Sequence, residues 1–174
     1  GIEAVVVENR AAAKEKVLEI LPKGVEVMTM SSETLKTVDL TEVDTVKVKL
    51  AKMDRKTQSL EMQKIGAAPE WAIGSVHAVT EDGKVLIASN TGSQLPAYVY
   101  GSTHVIWVVG TQKIVKDMDE GMKRIYEYVL PLESERVKKA YGMPRSNVNK
   151  LLIINKEVSP GRITVILVKE KLGF

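Results

Sequence analysis

The run His104-Val105-Ile106-Trp107-Val108-Val109 is apolar at almost every position and too short for a helix. Such a run reads as a strand buried on both faces, and strands of that kind belong to parallel sheets covered on both sides. Glu3–Glu8, rich in valine, and Val25–Met30 have the same character. Leu151–Ile154 and Arg162–Val168 end the chain as two more strands around a Ser159-Pro160-Gly161 turn.

Helical spacing fills the intervals. Asn9 caps a helix whose apolar face is Ala13, Val17, Ile20 and Leu21, and Pro22-Lys23-Gly24 stops it. Ser31 and Ser32 cap a short helix beginning near Glu33. Residues 41–65 alternate as a strand at Val46, Val48 and Leu50, but Val43, Val46, Leu50, Met53 and Leu60 share one helix face. The helical pattern runs longer and predicts a helix. Asp117 caps another, striped by Met118, Met122, Ile125 and Val129. Pro131 starts a further one, with Glu133 and Glu135 early, Lys138 and Lys139 late, and Gly142 at its end. Alternating strands and helices predict an α/β domain over residues 1–174: a mostly parallel sheet flanked by helices, with an inserted β-hairpin.

That hairpin is expected over residues 71–89. Asp82-Gly83 is a favoured two-residue turn. It sets Glu81 opposite Lys84, His77 opposite Ala88 and Ser75 opposite Asn90. Residues 84–109 then read as strand, helix, strand, with Pro96 in the helix's first turn and Gly101 closing it. A crossover of this kind makes parallel pairs. Val25–Met30, Val85–Ser89 and Val105–Val109 are therefore expected as neighbours in one sheet.

Composition narrows the chemistry. The chain has no cysteine, so it holds neither disulfides nor thiolate-bound iron–sulfur clusters and offers no thiol nucleophile. Two histidines, His77 and His104, exclude a histidine-rich zinc site within one chain. The net charge of +3 is spread out, and its densest cluster, Arg136, Lys138 and Lys139, stands beside Glu133 and Glu135. Nucleic-acid surfaces concentrate charge more than this, so no nucleic acid is expected as a partner. No apolar run reaches the ~18 residues of a membrane helix, and no signal peptide is visible. A cytoplasmic location without membrane contact is the expectation. Gly1 opens almost directly into a strand, as in a fragment lacking its natural start.

Several strings resemble one family. Trp71-Ala72-Ile73-Gly74-Ser75-Val76-His77-Ala78-Val79-Thr80-Glu81-Asp82-Gly83 is similar to the central hairpin of lactate-utilisation (LUD) domain proteins. Ala88-Ser89-Asn90-Thr91-Gly92-Ser93-Gln94-Leu95-Pro96, His104–Gly110, Leu130-Pro131-Leu132-Glu133-Ser134-Glu135-Arg136 and Ile163–Phe174 extend the likeness. The resemblance implies a fold related to the sugar-phosphate isomerase and coenzyme A transferase superfamily. It also implies bacterial relatives, some in lactate-oxidation operons beside iron–sulfur partner proteins. Others are single-domain proteins without an assigned activity, and this chain looks like one of those. No catalytic glutamate of the transferase type can be placed.

In open α/β sheets ligands bind beyond the carboxyl ends of the strands. Three polar segments fall at such ends: Ser31-Ser32-Glu33-Thr34, Asn90-Thr91-Gly92-Ser93-Gln94 and Thr111-Gln112-Lys113. Gly92 between small hydroxyl residues, opening a helix, offers N–H groups to an anion. A plain helix cap is the competing reading. Ser75 joins this set through the hairpin register. Gln112 and Lys113 would orient and neutralise the ligand. His77 is the candidate general acid or base and Glu33 the best-placed carboxylate. The expected ligand is a small anionic metabolite or something nucleotide-like. An accessory role in a lactate-oxidising redox complex, with iron–sulfur partners or a second copy of the chain, is the alternative. No cofactor and no reaction follows from the residues.

Overall fold

The computed structural model describes residues 1–174, the side chain of Thr41 excepted. Asn9 caps the first helix as expected, accepting the Ala12 N–H at 3.0 Å. That helix, α1 (Arg10–Ile20), follows strand β1 (Glu3–Val7). Next come β2 (Val27–Thr29) and α2 (Glu33–Val38), which Ser32 caps. Residues 41–65 do not form one helix. They divide into a 3-10 turn, α3 (Thr45–Leu50) and α4 (Ser59–Ala67). Between the last two, the Asp54 carboxylate takes the Lys56 N–H and the Thr57 hydroxyl, each at 2.9 Å. Such local bonds compete with helix continuation, and hydrophobic spacing does not register them.

Two sheets follow from the pairing. β1, β9 (Ile163–Val168), β6 (His104–Gly110), β3 (Trp71–Gly74) and β2 lie side by side in that order, all parallel. β7 (Ile114–Val115), β4 (Ala78–Thr80), β5 (Val85–Ser89) and β8 (Lys150–Ile154) form a second, mixed sheet. The mostly parallel sheet of an α/β fold is thus present, but the expected neighbours are not. Val85–Ser89 lies in the other sheet, and β3 stands between β2 and β6. Leu151–Ile154 and Arg162–Val168 likewise belong to different sheets. An apolar run reads the same in either sheet, because β5 and the inner strands of the parallel sheet are both covered on both faces; β1, expected to be buried, is instead an edge strand with Val6 57% exposed.

The layering explains this. Helices α1 and α2 cover one face of the parallel sheet through Ala13, Val17, Leu35 and Val38, packed on Ile73, Ile106, Val108 and Ile166. The other face carries Ala72, Val105, Trp107, Val109 and Val165, and it packs on Val85 and Ile87 of the second sheet rather than on helices. The far side of that second sheet, through Ala78, Leu86 and Ala88, meets Ile125 and Met122 of the long helical segment.

That segment runs without a break from α5 (Met118–Lys123) through a π-helical stretch, Arg124–Val129, into α6 (Leu130–Tyr141). Pro131 does not start a new helix. In a regular helix it would lack a donor and press on the carbonyl four residues back. The wider π turn, in which the Leu130 N–H reaches Ile125 O, accommodates it.

The hairpin register is also corrected. Only Gly83 takes positive φ, at 89°, whereas the two-residue turn needs it at both positions. The loop therefore has three residues, closed by Gly83 N–H to Thr80 O and Thr80 N–H to Lys84 O, both 2.9 Å. Val79 pairs with Val85 and Ala78 with Leu86. Ser75 is not opposite Asn90. The chain leaves the parallel sheet after Gly74 and crosses to the second sheet through Ser75-Val76-His77.

Candidate functional site

A cavity of about 190 Å³ opens at the carboxyl ends of β2, β3 and β6. Three connections supply its walls: residues 30–34 after β2, Ser75–His77 after β3, and the turn ending in Lys113 after β6. Ser93, Gln94 and Tyr98 close one side. Glu133 and Arg136 of α6 and Lys47 of α3 close the others.

Lys113 sits at the centre of the polar network, with only 3% of its surface exposed. Its Nζ lies 2.9 Å from Thr34 Oγ1, 3.1 Å from Ser75 Oγ and 3.1 Å from Val76 O. Burial pushes its pKa down to about 7, and the Arg124 guanidinium adds to the shift. Among the described residues Lys113 has no carboxylate partner. The other cations of the cavity are matched. Lys47 meets Asp44 at 3.2 Å, and Arg136 holds Glu133 through two bonds of 2.7 Å. Glu33 is engaged by Lys36 at 2.6 Å and by Arg136 at 3.7 Å.

His77 is half-buried on the same wall. Its Nδ1 accepts the Ala88 N–H at 3.1 Å, so a neutral ring carries its proton on Nε2. Desolvation pushes its pKa down to about 3, helped by the charges of Lys113 and Arg124. Arg124 donates to the His77 carbonyl at 2.9 Å and lies over the Tyr128 ring. The bend at Ser75 depends on Gly74, because a Cβ there would occupy the place of the Tyr98 hydroxyl.

Of the residues expected from the sequence, Ser31, Ser32, Glu33, Thr34, Ser75, His77, Ser93, Gln94 and Lys113 line this cavity. Asn90, Thr91, Gly92 and Gln112 do not. Asn90 bonds Asn149 at 2.7 Å beside a separate small pocket. The Gly92 N–H goes to Ser89 Oγ at 2.8 Å and the Ser93 N–H to Thr91 Oγ1 at 3.3 Å. Gln112 Nε2 is tied to Leu172 O at 2.9 Å. Those N–H groups serve the loop itself. Lys47, Tyr98, Glu133, Arg136 and Phe174 enter the cavity without having been singled out. Glu133 and Arg136 stood within a string that carried the family likeness. Lys47 had no signal, since its place depends on the break between α3 and α4.

Fold and cavity together define an α/β protein whose polar pocket lies where parallel-sheet proteins place ligands. The LUD domain family model matches residues 1–168, and the chain belongs to that family. A solved structure of a DUF162 family protein from Deinococcus radiodurans has the same fold, with a TM-score of 0.56 at 14% identity. The match covers 97% of this chain and 88% of that one. No curated protein matches the chain. No helix is long and apolar enough to cross a membrane among the described residues.

Proposed function

We propose that the cavity binds a small anionic metabolite through a phosphate or carboxylate group. The observation carrying this reading is Lys113, a buried lysine in a hydroxyl-lined pocket with no carboxylate partner among the described residues. Burial disfavours its charged form, and an anion entering the pocket would offset that cost and hold the proton on Nζ. Ser31, Ser32 and Ser75 supply hydroxyl groups, and Arg136 supplies a fixed charge at the rim. The volume, about 190 Å³, is below the ~300 Å³ of ordinary ligand pockets. It favours a short-chain acid or phosphate over a whole nucleotide, which would extend into solvent. Thermal unfolding followed with inorganic phosphate, 2-hydroxy acids, sugar phosphates and nucleotides tests this. A folded-state ligand raises the midpoint. At least one small anion should do so in the unaltered protein and not in Lys113→Met. A midpoint indifferent to every anion defeats the reading.

A second reading, an accessory subunit docking on a redox partner or on a second copy of the chain, draws support from one surface. Val99 (52% exposed), Tyr100 (89%) and Val158 (82%) surround a groove along β8, the open edge of the second sheet. Light scattering on the purified protein and on Tyr100→Asp would reveal self-association through this surface.

A further inference from the structure

We propose that Ser75 and Lys113 form a nucleophile–base pair that cleaves small esters to a carboxylate, the anion then facing the protonated lysine. The proposal rests on the reading of this pocket as an anion site, and it adds a reaction to it.

Hydrogen-bond supply around Lys113 decides which form of its amine faces Ser75. An ammonium has three protons to give, whereas a neutral amine has two and a lone pair. Lys113 Nζ has three oxygen neighbours: Thr34 Oγ1, Val76 O and Ser75 Oγ. Val76 O only accepts. Thr34 Oγ1 gives its own proton to Leu172 O at 3.1 Å, so toward Lys113 it also accepts. Ser75 Oγ is the one neighbour whose proton is not committed among the described residues. In the neutral amine, two N–H groups therefore go to Thr34 and Val76, and the lone pair is left facing the Ser75 hydroxyl at 3.1 Å. That is the geometry in which a base activates a serine. Burial without a carboxylate partner makes the neutral form accessible near pH 7.

The steps balance without a further reagent but water. Ser75 Oγ bonds to the ester carbonyl carbon as its proton passes to Lys113 Nζ. The adduct collapses, the carbon–oxygen bond to the leaving alcohol breaks, and that alcohol takes the proton from Nζ. Water then attacks the acyl carbon, gives a proton to Nζ, and Ser75 leaves with it. His77, with its proton on Nε2, is a neutral donor on the same wall. Fixed charges around Lys113 come from every side: Arg124 from the long helix, Glu33 from α2, Lys47 from α3, and Glu133 and Arg136 from α6. All but Arg124 are paired with an opposite charge.

The probe is 4-nitrophenyl acetate, followed by intact mass and peptide mapping. The unaltered protein should gain one acetyl group on Ser75, at a rate rising with pH to half its maximum near 7. Ser75→Ala should not be labelled there. Lys113→Arg keeps a cation but no usable base, and acetylation should fall on the order of 100-fold. Mapping the unaltered protein keeps the test open if a variant does not fold. No acetyl group on Ser75, acetylation of Lys113 instead, or an undiminished rate in Lys113→Arg would overturn the proposal. The midpoint shift with inorganic phosphate, measured on the same samples, separates the two readings. A shift without acetylation leaves the anion site standing and removes the reaction. Loss of both removes the site.

Discussion

The two ends of the parallel sheet carry clefts of opposite character. At the amino ends of β1, β3, β6 and β9 lies a cleft of about 250 Å³, lined by Glu3, Lys16, Trp71, His104 and Arg162. It is larger than the one at the carboxyl ends. Its cations are nevertheless matched. Arg162 meets Glu157 at 2.6 Å and donates to the carbonyl oxygens of Ser102, at 3.0 Å, and Tyr98, at 2.9 Å. Lys16 meets Glu19 at 2.6 Å, and the His104 ring stacks on Trp71 at 4.1 Å. The carboxyl-end cavity is smaller and, among the described residues, leaves Lys113 without an opposite charge. Unbalanced charge, rather than volume, is what sets the carboxyl-end cavity apart.

The largest effect should come from breaking the settled end. Arg162→Ala removes a cation that binds three backbone carbonyls, of Ala97, Tyr98 and Ser102, and a carboxylate only 11% exposed. It leaves those carbonyls without their donor and the half-buried Glu157 carboxylate with only the Ser159 N–H, at 2.8 Å, a change that costs about 3 kcal/mol. Denaturant unfolding should show this loss while the phosphate response at the carboxyl end stays intact. A loss under about 1 kcal/mol would mean that Arg162 is not the keystone of that end, and the contrast between the two ends would weaken.

The unsettled end should reveal itself through pH. Lys113 has a folded pKa of about 7 against an ordinary 10.5. Between these values the unfolded chain holds a proton that the folded protein lacks, so stability rises with pH. One such group contributes up to about 1.4 kcal/mol per pH unit. His77 acts in the same direction over a lower window, from about 3 to 6.5, where acid favours unfolding. Unfolding measured from pH 7 to 9 should therefore show rising stability in the unaltered protein and a flatter profile in Lys113→Met. From pH 4 to 6, His77→Gln should flatten the acid limb. Equal slopes in protein and variants would place the proton linkage elsewhere.

Much of this arrangement is legible in the sequence, and what is not has definite causes. Caps at Asn9, Ser32 and Asp117 and the stop at Gly142 are local chemistry, and local chemistry survives folding. The polar ends of β2 and β6 were found because their strands have the expected type and direction. The assignment of β5 to a sheet was not legible, since an apolar run buried between two layers carries no mark of which layers they are. Pro131 misled because a π turn has no sequence signature of its own. The segment Asn90–Gln94 looked like an anion cradle, but whether its N–H groups are free depends on Ser89 and Thr91 side-chain rotamers. Ser75 was placed near the site for a mistaken reason, the register, and it reaches the cavity because the chain crosses between sheets after Gly74.

The smallest effect concerns the loop between β4 and β5, which belongs to neither end and calibrates both. Gly83 has φ of 89°, and a Cβ added there would meet nothing within 4 Å. Space is therefore no obstacle, and the cost of a side chain is the backbone conformation alone. A β-branched residue resists positive φ most strongly, so Gly83→Val should destabilise by about 1 kcal/mol. Gly83→Asn, which tolerates the left-handed region, should cost less. Neither should alter the phosphate response or the pH slope, because the turn is held by its own bonds at Thr80 and Lys84. Denaturant midpoints of the two variants give the comparison directly. If valine and asparagine cost the same, the loop is not held in the left-handed conformation, and the one-residue shift in the β4–β5 register loses its cause.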